Sequence, residues 1–169
     1  RGAIVVNDTC ESSVPGVYAV GDVNGGPQFT YISLDDFRIV FGTLTGNGQY
    51  TLKDRKNIPY TTFLTPPLAR VGLTEEDAIN KGYTVKTKEM LVATMPRAHV
   101  NDYLKGAFKI VVNADNDLIL GATLYSQGAE ELINLIKMAM DNNIPYTYFK
   151  NQIFTHPTMA ENLNDLCNF

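Results

Sequence analysis

The feature that most restricts the fold is a pair of alternating apolar runs in the second half of the chain. Phe108, Ile110 and Val112 alternate into Asp115-Asn116-Asp117, and Leu118, Leu120, Ala122 and Leu124 alternate out of it. A period of two on both sides of a turn-forming triplet is the pattern of an antiparallel hairpin with one buried face. That face needs a cover. Gly128 leads into Leu132, Ile133, Ile136, Ala139 and Met140, spaced for one side of a helix that ends at Asn142-Asn143 before Pro145. Upstream, Thr61-Thr62-Phe63-Leu64 and Leu68-Ala69-Arg70-Val71 read as strand pieces around Pro66-Pro67. Thr74 caps a short helix closed by Gly82, and another strand falls within residues 83–94. An irregular stretch with Pro96, His99 and Asn101-Asp102 follows, and after the aromatic segment Tyr146, Tyr148 and Phe149 a last helix is expected from Thr158 to Leu166. This order predicts an α+β fold, an antiparallel sheet with helices packed against it, over residues 49–169.

The first quarter reads differently. Ala3-Ile4-Val5-Val6 and Val17-Tyr18-Ala19-Val20 are short apolar runs bounded by turn formers, the pattern of strands covered on both faces in a larger sheet. About forty residues cannot supply the neighbours and crossover helices of a parallel sheet. Residues 1–48 are therefore expected to be the remnant of an α/β domain whose body lies outside them. They finish in an amphipathic helix carrying Phe29, Ile32, Leu34, Phe37, Val40, Phe41 and Leu44, with Gly46-Asn47-Gly48 ending it and a polar linker from Gln49 to Asn57.

Composition narrows the function classes. The chain has 169 residues, 44% of them apolar, which is too many for intrinsic disorder, and no apolar stretch approaches the roughly 20 residues of a membrane-spanning helix. With 14 basic and 18 acidic side chains, and no basic cluster beyond Lys53, Arg55 and Lys56, neither nucleic acid nor a membrane surface is expected as partner. Cys10 and Cys167 make neither a disulfide framework nor a metal pattern, so no metal is expected, and a reducing cytoplasm is.

Two segments carry possible chemistry. Val14-Pro15-Gly16-Val17-Tyr18-Ala19-Val20-Gly21-Asp22 delivers a glycine and then a carboxylate at the end of a strand. Ligands of open α/β sheets bind at that end, where a carboxylate can accept from sugar hydroxyls, although Gly-Asp is equally a common turn dipeptide. Phe154-Thr155-His156-Pro157-Thr158-Met159-Ala160-Glu161 places an imidazole near a carboxylate, a pairing suited to proton exchange near neutrality. The same Thr158-x-x-Glu161 also fits a helix capping box, which leaves a purely structural reading open.

Taken together, these two segments and the stretch Thr62-Phe63-Leu64-Thr65-Pro66-Pro67-Leu68-Ala69-Arg70-Val71-Gly72-Leu73-Thr74-Glu75 resemble the pyridine nucleotide-disulfide oxidoreductases. The resemblance implies a dimerisation domain over residues 49–169, preceded by the tail of an FAD-binding domain. It implies that Asp22, preceded by Gly21, contacts FAD, and that His156 is the acid-base residue for the partner subunit's flavin site, oriented by Glu161. It further implies FAD and NAD(P)H as cofactors, a homodimer, and a small-molecule or protein disulfide as substrate. The terminal segment looks like that of bacterial relatives involved in resistance to reactive oxidants. Neither the Gly-x-Gly-x-x-Gly fingerprint nor the Cys-x4-Cys pair of the family occurs here, so these residues alone are expected to be inactive and to bind no cofactor. The competing expectation is a subunit-assembly module in which His156 and Glu161 are structural.

Overall fold

The computed structural model describes residues 2–169, in two compact units that divide between Lys56 and Asn57. The described part of the first unit contains two 3-10 turns, Gly21–Asn24 and Leu52–Asp54, and one α-helix, α1 (Thr30–Thr45). Gly46, at φ 74°, ends α1 by donating its N–H to the carbonyls of Gly42 and Thr43. The two expected strands do not form. Isolated bridges join Val6 to Ser12 and Glu11 to Tyr18, and single bonds run from Ile4 N–H to Val23 O and from Ala19 N–H to Cys10 O. A strand persists through consecutive bonds to a neighbour, and these runs find only single contacts.

The polar segment expected as a linker belongs to this unit, which moves the division from residue 48 to Lys56. Leu52 N–H donates to Asp8 O at 2.9 Å, Lys53 pairs with Asp8, and Arg55 pairs with Asp35 and Asp36 of α1. The charged groups of the segment read as a polar linker are the ones that fasten it.

The second unit is built on a five-stranded antiparallel sheet in the order β1-β2-β5-β4-β3, with β1 at Tyr60–Thr62, β2 at Leu68–Gly72, β3 at Val85–Leu91, β4 at Ala107–Asn113 and β5 at Ile119–Tyr125. The hairpin β4–β5 is its centre, as the alternation predicts. Phe108 stands opposite Leu124 and Ile110 opposite Ala122, while Ala69 and Val71 of β2 meet the same two β5 residues from the other side. All six are buried on one face. The period-two pattern breaks near the turn, where a register shift between Val111 and Val112 pairs Val112 with Ile119. Ile119, rather than Leu118 or Leu120, is therefore the buried residue at the start of β5.

Helix α4 (Ala129–Asp141) joins that face through Leu132, Ile133, Ile136 and Ala139, as its stripe predicts. α2 (Glu75–Asn80) begins with Thr74 and Asp77 in a reciprocal capping box. The stretch read as irregular contains a short helix, α3 (Pro96–Val100), which opens on a proline at a position needing no N–H, and the aromatic segment forms another, α5 (Tyr146–Asn151), which follows Pro145. The last helix, α6 (Asn162–Leu166), starts later than expected, because residues 158–161 close a tighter turn of their own. Leu163 and Leu166 anchor α6 in the core. Full burial of such side chains contributes about 1.5–3 kcal/mol each.

Because Leu163 is 0% exposed and directly follows the turn that holds His156, Leu163→Ala should destabilise the second unit by about 2–5 kcal/mol. Denaturant unfolding checks this, with the midpoint expected to fall and the slope to stay.

Candidate functional site

The loop between α5 and α6 is held by three side chains, Asn162 and Asn164 of α6 and Glu161 just before it. Asn164 Nδ2 donates to the carbonyls of Phe149 at 2.7 Å, Lys150 at 3.3 Å and Gln152 at 2.9 Å, satisfying acceptors that the end of α5 leaves without helical partners. Asn162, buried at the start of α6, donates to Thr158 O and Met159 O. Glu161 takes the centre of the loop. Its Oε1 accepts from Thr158 N–H at 3.1 Å, and its own N–H donates to Thr158 Oγ1 at 3.2 Å. Its Oε2 lies 2.7 Å from His156 Nδ1. The two meanings that the sequence left open, cap and histidine partner, are thus served by different oxygens of one carboxylate.

A carboxylate oxygen only accepts, so Nδ1 of His156 carries a proton, and in the neutral ring the lone pair is on Nε2. The imidazole is 68% exposed and Glu161 only 18%, so the ring reaches solvent while its carboxylate partner is shielded. The hydrogen bond from His156, together with the Thr158 amide, holds the Glu161 carboxyl below the usual carboxylate range. The arrangement suits an imidazole that takes a proton at Nε2 and is stabilised, once charged, by Glu161. His99 differs: it is exposed on α3 and its Nε2 lies 2.8 Å from Ala93 O.

In the first unit, Gly21 sits at φ 72°, and a Cβ there would lie 2.6 Å from Ser33 Oγ, so glycine alone fits. Its N–H donates to Asp36 Oδ2 at 2.8 Å and is unavailable to a ligand. Asp22, next in the 3-10 turn, is exposed. These residues therefore fit the hydroxyl-bearing part of a dinucleotide through the Asp22 carboxylate, and they offer no phosphate cradle. Asp36 itself, wholly buried, escapes sequence reading because it sits beside Asp35 in a helix whose apolar stripe draws the eye. Among the described residues, no cluster of three or more His, Cys, Asp or Glu is placed to hold a metal. No described helix is long and apolar enough to cross a membrane. The two candidate pairs lie in separate units, Gly21 and Asp22 in the first, His156 and Glu161 in the second.

Both cysteines are buried and free. Burial is the largest cause that pushes the Cys10 thiol up to about 11 and the Cys167 thiol up to about 12, with Asp36 adding to the former and Lys88 opposing the latter.

Comparison with known proteins supplies the class. Residues 58–167 match the model of the pyridine nucleotide-disulphide oxidoreductase dimerisation domain, and the chain belongs to that family. The probable pyridine nucleotide-disulfide oxidoreductase RclA of Escherichia coli (strain K12) is 48% identical over 166 residues, covering 98% of this chain and 38% of its own length. The solved structure of the HOCl-induced flavoprotein disulfide reductase RclA from Escherichia coli superposes with a TM-score of 0.96 at 47% identity, covering 99% of this chain and 38% of that one. A mercuric reductase of Staphylococcus aureus is 34% identical, over 96% of this chain and 30% of its own length. The chain thus spans between a quarter and two fifths of the length of these relatives.

The lowered Glu161 value fixes the direction of a pH test. A depressed carboxyl stabilises the fold above its unfolded value near 4.5 and gives that up as pH falls through the lower folded value. Nitrogen-15 NMR of His156 should show the Nδ1–H pairing intact down to pH 4.5 and lost only below it; in Glu161→Ala the Nε2–H tautomer should rise at neutral pH. For the thiols, Ellman's reagent at pH 8 should label neither cysteine in the folded protein and both after unfolding.

Proposed function

We propose that this chain acts as the dimerisation part of an FAD- and NAD(P)H-dependent disulfide reductase, contributing His156 and Glu161 as an acid-base pair to the flavin site of the partner subunit. The observation that carries the reading is the 2.7 Å bond from His156 Nδ1 to a shielded carboxylate, with the ring itself 68% exposed. A histidine used only to cap a turn gains nothing from presenting a free Nε2. Here Nε2 takes the proton of a reacting thiol and returns it when the thiolate is discharged, while Glu161 holds the ring's tautomer and stabilises its cation.

FAD, when bound, supplies the two-electron relay between nicotinamide and disulfide. The chain's own part is the Asp22 carboxylate, which accepts from sugar or ribityl hydroxyls, and Gly21, which allows the tight turn that presents it. The first unit is accordingly the end of an FAD-binding domain. Taken alone, these residues have no redox cysteine pair and no phosphate-binding fingerprint, so we assign them neither turnover nor flavin binding of their own. The substrate class is a disulfide or a related oxidant. The relative RclA is described as HOCl-induced, which favours a role in redox homeostasis, and a cytoplasmic setting suits a reductase drawing on NAD(P)H.

Homodimerisation is supported by apolar surface on the second unit. Ile153, three residues before His156, is 96% exposed, and Tyr148 is 55% exposed. Such side chains are where a protein partner rather than water is expected. The alternative, a non-catalytic assembly module, draws on the Thr158–Glu161 cap.

The two readings part in a reductase of the relatives' length. His156→Ala should leave dimers intact and lower turnover by about 10²–10⁴-fold. Steady-state kinetics with size-exclusion chromatography checks it; unchanged turnover by intact dimers would leave only the assembly role.

A further inference from the structure

Asp36 is the one fully buried carboxylate among the described residues of the first unit. It lies in α1, but its hydrogen bonds leave the helix. Oδ2 accepts from Gly21 N–H at 2.8 Å and from Asn24 Nδ2 at 2.9 Å, the first and last residues of the 3-10 turn that carries Asp22. Oδ1 accepts from Arg55 Nη2 at 2.5 Å. Arg55 is 10% exposed and is itself divided, its Nε donating to Asp35 Oδ2 at 2.7 Å. Asp35 also accepts from the Tyr50 hydroxyl at 3.3 Å.

We propose that Asp36, charge-balanced by Arg55, is a positioning residue for the flavin contact: it grips the turn at both ends and so sets where the Asp22 carboxylate points. This deepens the assignment of Asp22 to FAD and rests on it. The argument is one of economy in a buried site. An ionised carboxylate without exposure is costly unless its lone pairs are filled and its charge opposed. Asp36 meets both conditions, with three donors of which one is the Arg55 guanidinium. A helix needing only an apolar contact would be served as well by leucine at less desolvation cost. What leucine cannot do is hold the amide of a glycine and the side chain of Asn24 at fixed places on either side of an exposed acid. Short turns of the 3-10 type are otherwise weakly held. Arg55 follows the same logic from the other direction, since its fork matches two carboxylates at once. The segment 49–56 thereby becomes part of the flavin site's support although none of its residues need touch the cofactor.

The test is a double-mutant cycle in a reductase of the relatives' length, read as FAD affinity by recovery of flavin fluorescence on titrating stripped protein. Asp22→Ala and Asp36→Asn should each weaken FAD about tenfold or more, since each removes hydrogen bonding to a charged group. If Asp36 acts through Asp22, the double variant should bind FAD little worse than Asp22→Ala alone. Additive losses, or a normal affinity in Asp36→Asn beside a weakened Asp22→Ala, overturn the proposal. A normal affinity in Asp22→Ala removes the flavin assignment of Asp22 and this inference with it, a result distinct from the other two. Should Asp36→Asn fail to fold, Arg55→Lys carries the same cycle: it keeps the charge, gives up the fork, and should again weaken FAD in a manner non-additive with Asp22→Ala.

Discussion

The second unit depends on one constraint: an antiparallel sheet must hide an apolar face that its own strands cannot cover. Phe108, Ile110, Ala122, Leu124, Ala69 and Val71 create that face, and α4 and α6 close it with Leu132, Ile133, Ile136, Leu163 and Leu166. Once α6 is anchored this way, the loop before it has little freedom. Asn162, Glu161 and Asn164 fill the loop's carbonyls and amides from the helix side, and the imidazole of His156 emerges as the loop's exposed product. The His156–Glu161 contact is thus a consequence of burying two leucines a few residues away.

The first unit solves a different problem. It has little core, with only Cys10, Ala19, Ile32 and Ile39 buried among its described apolar residues, and a cluster of charges stands in for one. Asp35, Asp36 and Arg55 bind helix, turn and following segment together. Charges in such a place specify an arrangement more than they add stability, because their desolvation offsets much of their attraction.

How much of this could be read beforehand follows from range. The hairpin at residues 107–125, the stripe of α4 and the cap at Thr74 are local patterns and stood in the sequence. His156, Glu161 and Asp22 were legible as motifs, and the structure places the first two in contact. Three things were not legible. The bulge at Val111 changes which residues of β5 face inward, and no local signal marks it. The strands at residues 3–6 and 17–20 look like strands by composition, yet pairing is not a local property. Asp36 looks like surface because its partners are Gly21 and Arg55, well separated in the chain. Arg55 in the segment 49–56 misleads for the same reason, its charge marking partners inside the unit while most of its neighbours face solvent.

The divided carboxylate of Glu161 has an evolutionary consequence. One oxygen reaches the Thr158 amide and the other the imidazole, so side-chain length at this position answers to two distances at once. Aspartate, one methylene shorter, would have to abandon one of them, and glutamine would offer the ring an acceptor without a charge. Drift at position 161 is therefore narrower than either duty alone would impose, and substitutions there should travel with compensating changes at 156 or 158.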